Sequence, residues 1–470
     1  MDKAQTVYKK DEFRDRLGIV SKEGKRKWVY PKKPKGKFYL YRTILSFFLL
    51  SFLIGTPFVK YHNEPLFLFN VIDRKFILFG SAFGPHDFFL MLVAMLVLVV
   101  SIVLFTVVYG RVFCGWICPQ TIFMEMVFRK IEYWIEGDSS KQKALKISSW
   151  NKEKIIKKSA KQLIFFSISF LISNVFLSWI IGVDKLFAIA TDPPREHLAG
   201  LIAILAFSSA FYGVFAWLRE QACILICPYG RLQGVLLDQN SIVIAYDYKR
   251  GEPRGKIKKN LKEQTKGDCV DCNLCVDVCP TGIDIRNGTQ LECINCTACI
   301  DACNAVMSKI NKPKGLIRYA SAKAIKNSFR LSFLSARVIG YTLVLIVLVT
   351  ILLTLALTRS QIDVSILRTP GLISQQQPDN KISNLYDIKI TNKTFANIPL
   401  ELKLNEPNGE IKIVSNQLLI KPQEILESKF FVVLPKETLK EIVTPLTINV
   451  YSNGKKVDAI HTSFMRQVDQ

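Results

Sequence analysis

Cys269-Val270-Asp271-Cys272-Asn273-Leu274-Cys275-Val276-Asp277-Val278-Cys279-Pro280 is a C-x2-C-x2-C-x3-C-P run. Cys293-Ile294-Asn295-Cys296-Thr297-Ala298-Cys299-Ile300-Asp301-Ala302-Cys303-Asn304 repeats it, with asparagine in place of the proline. This doubled spacing is the bacterial ferredoxin arrangement for two [4Fe–4S] clusters, in which the fourth cysteine of each run ligates the other cluster. Cluster one is therefore expected on Cys269, Cys272, Cys275 and Cys303, and cluster two on Cys293, Cys296, Cys299 and Cys279. Zinc ribbons use four cysteines in two separated pairs, which is a different rhythm.

Around this run the chain is a membrane protein by pattern. Five stretches, roughly 42–59, 88–110, 162–183, 198–218 and 338–358, approach or exceed the ~20 apolar residues a bilayer requires. The stretch from Pro65 to Gly80 is apolar but broken by Asp73, Arg74 and Lys75, and reads as an interfacial hairpin. The 470 residues carry a net charge of +24, which would also suit a nucleic-acid binder, but the charge follows the spans instead. Fourteen Lys or Arg fall in 1–42 and eleven in 111–161, against three in 60–87 and two in 184–197. Basic loops stay cytoplasmic, so the N-terminus is expected inside and the C-terminus outside. The cluster segment then lies in the cytoplasm, in a bacterial inner membrane protein with no nucleic-acid partner. No short apolar core with a cleavage site follows the basic arm, so no cleaved signal peptide is expected. All twelve cysteines fall on or near the cytoplasmic side, where thiols stay reduced, and none lies in 359–470.

The fold class expected is a multi-domain membrane protein: an α-helical transmembrane core, an inserted two-cluster ferredoxin domain and a C-terminal immunoglobulin-like β-sandwich. Its parts are a basic arm (1–41), a four-span core (42–218), the cluster domain (240–315), an amphipathic approach (316–337), a fifth span (338–358) and the tail (359–470). The tail alternates with period two in Tyr386–Ile390 and Leu400–Leu404, and Asn408-Gly409 and Asn453-Gly454 read as hairpin turns. About seven short strands suit such a sandwich, here without a disulfide. Asn392-Lys393-Thr394 matches a glycosylation sequon by pattern only.

The core contains an internal repeat. His86 precedes one span and His197 another, and each span ends in a C-x3-C-P motif: Cys114, Cys118 and Pro119, then Cys223, Cys227 and Pro228. Cysteines at i and i+4 share a helix face, while each proline interferes with continuing the helix and starts a new one. If the repeat gathers all four thiols, they can bind a soft ion such as Cu(I) or form a redox dithiol; otherwise they are packed, inert thiols. His86 and His197, at the far ends of their spans, read as metal or quinone contacts or as capping residues. The connector Tyr246 to Gly255 is turn-rich, with Arg250 and Arg254 free to hold lipid phosphate or the cluster domain.

Phe113-Cys114-Gly115-Trp116-Ile117-Cys118-Pro119-Gln120-Thr121, Arg250-Gly251-Glu252-Pro253-Arg254-Gly255 and Cys279-Pro280-Thr281-Gly282-Ile283-Asp284-Ile285-Arg286 together resemble the FixG/RdxA/CcoG proteins. These are accessory proteins for assembly of the cbb-type cytochrome c oxidase, and the likeness covers nearly the whole chain. The resemblance implies an oxidoreductase that supplies copper to the oxidase, reducing Cu(II) to Cu(I) at the cytoplasmic side. It carries cluster ligation to the eight cysteines above and a copper-related role to Cys114, Cys118, Cys223 and Cys227. The partners it implies are copper ion, oxidase assembly factors or subunits and a cytoplasmic electron donor, with a homodimer compatible. Membrane polyferredoxins that pass electrons to quinone or a partner reductase share the paired C-x3-C-P motifs, and a non-redox scaffold is a third reading.

Overall fold

The computed structural model describes residues 23, 25–61, 64–72, 75–79, 81–84, 87–256, 267–327, 335–370, 374–378, 380–405, 409–414, 419–439 and 441–466. His62, His86 and Asn408 lie outside them. The chain forms two units, one within Met1–Pro57 and Met91–Leu352, the other within Phe58–Leu90 and Leu353–Gln470.

Among the described residues five helices are long and apolar enough to cross a membrane: Lys37–Phe58, Phe88–Tyr109, Lys152–Ile181, Leu198–Leu218 and Ala336–Leu357. The third starts at Lys152, well before the expected 162, because Asn151 accepts from the Lys154 amide at 2.8 Å and caps it there. Its lysine-rich first turns are good helix formers that an apolarity criterion passes over. The first span begins at Lys37 on a borrowed cap. Asp301, on the cluster-domain helix Ala298–Lys309, accepts from the amides of Phe38 (3.3 Å) and Tyr39 (2.9 Å). Gly36 permits this approach, since a Cβ there would sit 2.2 Å from the Asp301 carboxyl carbon.

Below the third and fourth spans the two repeats are clamped together. Phe128 stacks on Phe215 at 4.7 Å, and Phe123 meets Phe215 edge-on. Next to them lies a buried ionic network. Glu132 takes Arg219 and Lys161, Glu136 takes Lys158 and Lys161 at 2.8 and 2.9 Å, and Arg129 pairs with Glu125 at 2.8 Å.

In the cluster domain Val243–Tyr246 pairs antiparallel with Ile317–Ala320. The expected amphipathic approach from 316 is therefore corrected at its start: Leu316 and Ile317 are apolar because they close the domain core. The connector also resolves. Arg250 donates to Asp268 at 2.5 Å and to the carbonyls of Pro313 and Lys314, so it holds the cluster domain and not lipid.

In the second unit, Phe67–Asn70, Lys75–Leu78 and Ser81–Phe83 form a three-stranded antiparallel sheet. The hairpin expected over Pro65–Gly80 is thus present as the first two strands of this sheet. Asp87 anchors it, accepting from Arg359 at 2.7 Å and Lys393 at 3.2 Å. The tail has two sheets. One orders Glu410–Ile413, Ile425–Pro435, Lys381–Asn392 and Ile362–Arg368, with Gln375–Gln377 beside it. The other orders Leu419–Ile420, Ile398–Leu404, Val443–Ser452 and Lys455–Met465. Among the described residues nine strands replace the expected seven, because Gln375–Gln377 and Leu419–Ile420 are too short to alternate. Asn453-Gly454 turns a hairpin with both residues at positive φ. The hairpin expected at Asn408-Gly409 is corrected: the strands on either side of it enter different sheets. Asn392 is 1% exposed and its amide donates to the Ala396 and Lys421 carbonyls, so it is a turn-former and no glycan acceptor.

Candidate iron–sulfur and thiol centre

The two cysteine runs fold as one repeated loop. Asp271 and Asn295, each two residues after a first cysteine, lie at positive φ, as do Asn273 and Thr297, each one residue after a second cysteine. Asp and Asn tolerate this conformation. Thr297 is β-branched and fully buried there, a strained position of the kind that clusters at functional sites. These four residues curl the backbone around two cavities. One is lined by Cys269, Cys272, Cys275 and Cys303. The other is lined by Cys279, Cys293, Cys296 and Cys299 among Ile244, Ile283, Ile285 and Ile294, and Cys275 reaches both.

The spacing of the sulfurs decides what such cavities can hold. Tetrahedral zinc with bonds of about 2.3 Å sets its sulfurs roughly 3.8 Å apart. Among the described residues no three cysteine sulfurs lie within 4.8 Å of one another. The cages are too wide for one zinc ion and suit a polynuclear group. All twelve cysteines are free, and Cys272 is the exposed one.

The four remaining cysteines converge. Cys114 lies in the helix Val112–Trp116, and Cys118 caps the next helix, whose first residue is Pro119. Cys223 lies in a wide-wound turn, Ala222–Ile226, and Cys227 caps Pro228–Leu236. The second cysteine of each pair has therefore left the first helix, as the proline requires. Cys223 feels the charges of Cys118, Cys114 and Cys227, so the two motifs are neighbours, although no three of their sulfurs lie within 4.8 Å of one another. Burial pushes the Cys114 thiol up to about 11 and the Cys223 thiol up to about 12. Cys114 Sγ donates to Gln233 Oε1 at 2.9 Å, and Arg111 Nε donates to the same oxygen at 3.2 Å.

This thiol site is packed on the second cluster loop. Cys114 shares an apolar cluster with Cys296, Ile294, Val278 and Ala298. A Cβ at Gly115 would lie 2.4 Å from the Ile294 carbonyl oxygen, so only glycine allows the approach. Arg42, 5% exposed, donates to Gly115 O at 3.0 Å and Cys296 O at 3.1 Å. Trp116 Nε1 donates to Tyr319, whose hydroxyl donates to Asn295 O at 3.3 Å. Sequence reasoning missed Arg42, Arg111, Gln233, Trp116 and Tyr319 as members of the site. For Arg42 a signal existed, an arginine within an apolar span.

His197 is apart from this centre. Its Nε2 lies 3.1 Å from Asp192, and with Glu196 the two form a partly exposed group of three ligand atoms within 4.8 Å of one another.

Helices able to span a membrane, a doubled ferredoxin loop and an appended sandwich define a membrane-anchored iron–sulfur electron-transfer protein. The models of known families agree: a 4Fe-4S dicluster domain matches 218–322, a 4Fe-4S binding domain 91–141, and the immunoglobulin-like fold at the C-terminus of FixG 352–467. Protein RdxB of Cereibacter sphaeroides is 33% identical over 78% of this chain and 80% of its own length. Protein RdxA of the same organism is 31% identical over 77% and 79%. Nitrogen fixation protein FixG of Rhizobium meliloti is 31% identical over 63% of this chain and 58% of its own length. The chain belongs to the FixG family. A crystal structure of a FixG-related protein from Vibrio parahaemolyticus aligns with 23% of the chain at 14% identity; its TM-score of 0.21 is too low to bear on the fold.

Proposed function

We propose that this protein is a cupric reductase of the bacterial inner membrane that delivers Cu(I) during assembly of a cbb-type oxidase. Cys269, Cys272, Cys275 and Cys303 hold one [4Fe–4S] cluster, and Cys279, Cys293, Cys296 and Cys299 the other. The observation that carries the reading is the packing of Cys114 against Cys296, which sets the thiol site on the backbone of a cluster loop.

The clusters, when bound, supply one-electron transfer at potentials set by burial and hydrogen bonding. The chain's residues set the route. Cys272 is exposed, so a cytoplasmic donor can approach that cavity. Cys114, Cys118, Cys223 and Cys227 receive Cu(II) as substrate at the opposite end. Soft thiolate sulfur favours Cu(I), so each ion accepts one electron and leaves reduced. Gln233 holds the Cys114 proton until the metal displaces it. The basic arm and the cluster domain are cytoplasmic, and the sandwich lies outside, where it can meet oxidase subunits. The cap that Asp301 gives to the first span supports this, because it sets that span's basic end on the cluster domain.

The test is anaerobically purified, prereduced protein given Cu(II), with Cu(I) trapped by a chelator. Cu(I) is expected from the wild type and not from a variant carrying Cys114→Ser and Cys118→Ser. Equal yields from both would overturn the reading, and quinol oxidation without Cu(I) would favour an electron conduit.

A further inference from the structure

Two arginines in the centre lack counter-ions. Arg42 and Arg111 are 5% and 3% exposed, and among the described residues neither guanidinium forms an ion pair with a carboxylate. Their partners are neutral: the carbonyls of Gly115, Cys296 and Leu291, the amide of Gln233 and, beside Arg111, the Cys114 thiol. An isolated buried charge is costly unless a negative charge lies nearby. Both arginines reach the loop that lines one cavity only, the one of Cys279, Cys293, Cys296 and Cys299. Arg42 holds the carbonyl of Cys296 itself, and Arg111 the carbonyl two residues before Cys293. Their charges also pull the thiols of Cys296 and Cys293 downward, against the larger effect of burial. Glu125 opposes Arg42 at Cys296, and its partner Arg129, at 2.8 Å, is shared with Glu220 at 3.8 Å.

At the other cavity the cations are held in ion pairs. Arg286 lines it, yet Arg286 is bound by Asp271 at 2.6 Å and Asp284 at 2.7 Å, which leaves that group net negative. Arg250, whose charge reaches Cys303, shares Asp268 with Lys312, at 2.5 and 2.9 Å. One cavity thus faces two buried cations with no ion-pair partner among the described residues, although the buried carboxylates of Glu292 and Asp301 lie in the same segment, and the other faces cations held in ion pairs.

We propose that Arg42 and Arg111 are positioning residues that make the cluster on Cys279, Cys293, Cys296 and Cys299 the higher-potential one, so that electrons run downhill from the exposed cavity toward the thiol site. Reduction adds one negative charge, and an unpaired cation stabilises the reduced form while a carboxylate-neutralised one does not. One electron leaves the group held by Cys269, Cys272, Cys275 and Cys303, which is oxidised. The group beside Cys114 gains it and is reduced, and no proton moves. The first electron comes from a one-electron carrier on the cytoplasmic side. The same arginines fix the geometry of the route: Arg42 joins Gly115 of the thiol motif to the Cys296 carbonyl, and Arg111 joins Gln233, which holds Cys114, to the Leu291 carbonyl.

This rests on the two-cluster assignment but not on copper, so it can be tested without it. The full-length protein in detergent is titrated with dithionite and both midpoints are read by electron paramagnetic resonance, with iron content as the folding control. Two separated potentials are expected. Arg42→Met should lower the upper one by about tenfold in equilibrium constant, 59 mV for a one-electron couple, and Arg42→Lys should largely restore it. Asp271→Asn, on the partly exposed carboxylate, should raise the lower potential alone. Should Arg42→Met fail to load iron, Arg111→Gln and Asp271→Asn carry the test. Loaded arginine variants with both potentials unchanged, or with only the lower one moved, would overturn the proposal. A normal ordering of potentials with no Cu(I) production would instead sink the reductase reading and leave this one standing.

Discussion

At the scale of single residues the centre divides into thiols that the spacing announces and the side chains that govern them. The cysteines were legible because cluster ligation demands a fixed chemical type at fixed intervals. Gln233 was not: it lies 119 residues from the thiol it holds and belongs to no motif. The thiols carry a pH prediction. Cys114 and Cys223, pushed up to about 11 and about 12 by burial, are protonated at neutral pH, and only thiolates bind metal. Cu(I) binding must expel protons, so affinity should climb with pH between about 6 and 9, with no plateau near the ordinary thiol value. Chelator competition across that range measures it, and a flat affinity would contradict the burial argument. Gly115→Ala tests the docking. The added Cβ, 2.4 Å from Ile294 O, should leave iron content intact and slow Cu(II) reduction about tenfold or more as the motif lifts from the loop. An unchanged rate would mean that the approach is incidental.

Elements were legible where periodicity is long and illegible where it is short or where a cap comes from afar. The spans and the long strands of the tail follow from their apolar patterns. Gln375–Gln377 and Leu419–Ile420 do not, and neither does the start of the first span, whose cap Asp301 lies far along the sequence. The clamp beneath the third and fourth spans was equally hidden, because Glu132, Arg219 and Lys161 read separately as surface charges. Burial pushes the Glu132 carboxyl up, but Arg219, Lys161 and Arg129 outweigh it and hold it below the ordinary glutamate value. A depressed carboxylate contributes stability above the unfolded value and loses it as pH falls through the folded one. Acid should therefore loosen this clamp only below the ordinary glutamate range. Glu132→Gln leaves Arg219 buried without its carboxylate, which costs about 3–5 kcal/mol. Thermal unfolding in detergent should register that loss, and an unchanged midpoint would show that the network is dispensable.

For the whole molecule the sequence specified its domains better than their joints. Doubled cysteine spacing, apolar runs and alternation each mark a domain by its own period. Their contacts use single residues such as Gly36, Arg42 and Gly115, which carry no period at all. The loop from Phe58 to Leu90 falls in one unit with the tail, so both should lie on the same side of the membrane. Cysteines introduced at exposed Lys60 and Lys403 should then be labelled from outside intact spheroplasts, and one at exposed Lys143 should not. Labelling of the last would reverse the topology.

The central claim is that electrons from the clusters reach copper through the four-thiol site. It is tested most directly by mixing anaerobically prereduced protein with Cu(II) in a single turnover, following cluster bleaching and Cu(I) chelation in one trace. The account expects one Cu(I) for each electron the clusters lose. It also expects both signals to slow about hundredfold in the variant with Cys114→Ser and Cys118→Ser. Clusters that reoxidise equally fast in wild type and variant, or that lose electrons without yielding Cu(I), would contradict it.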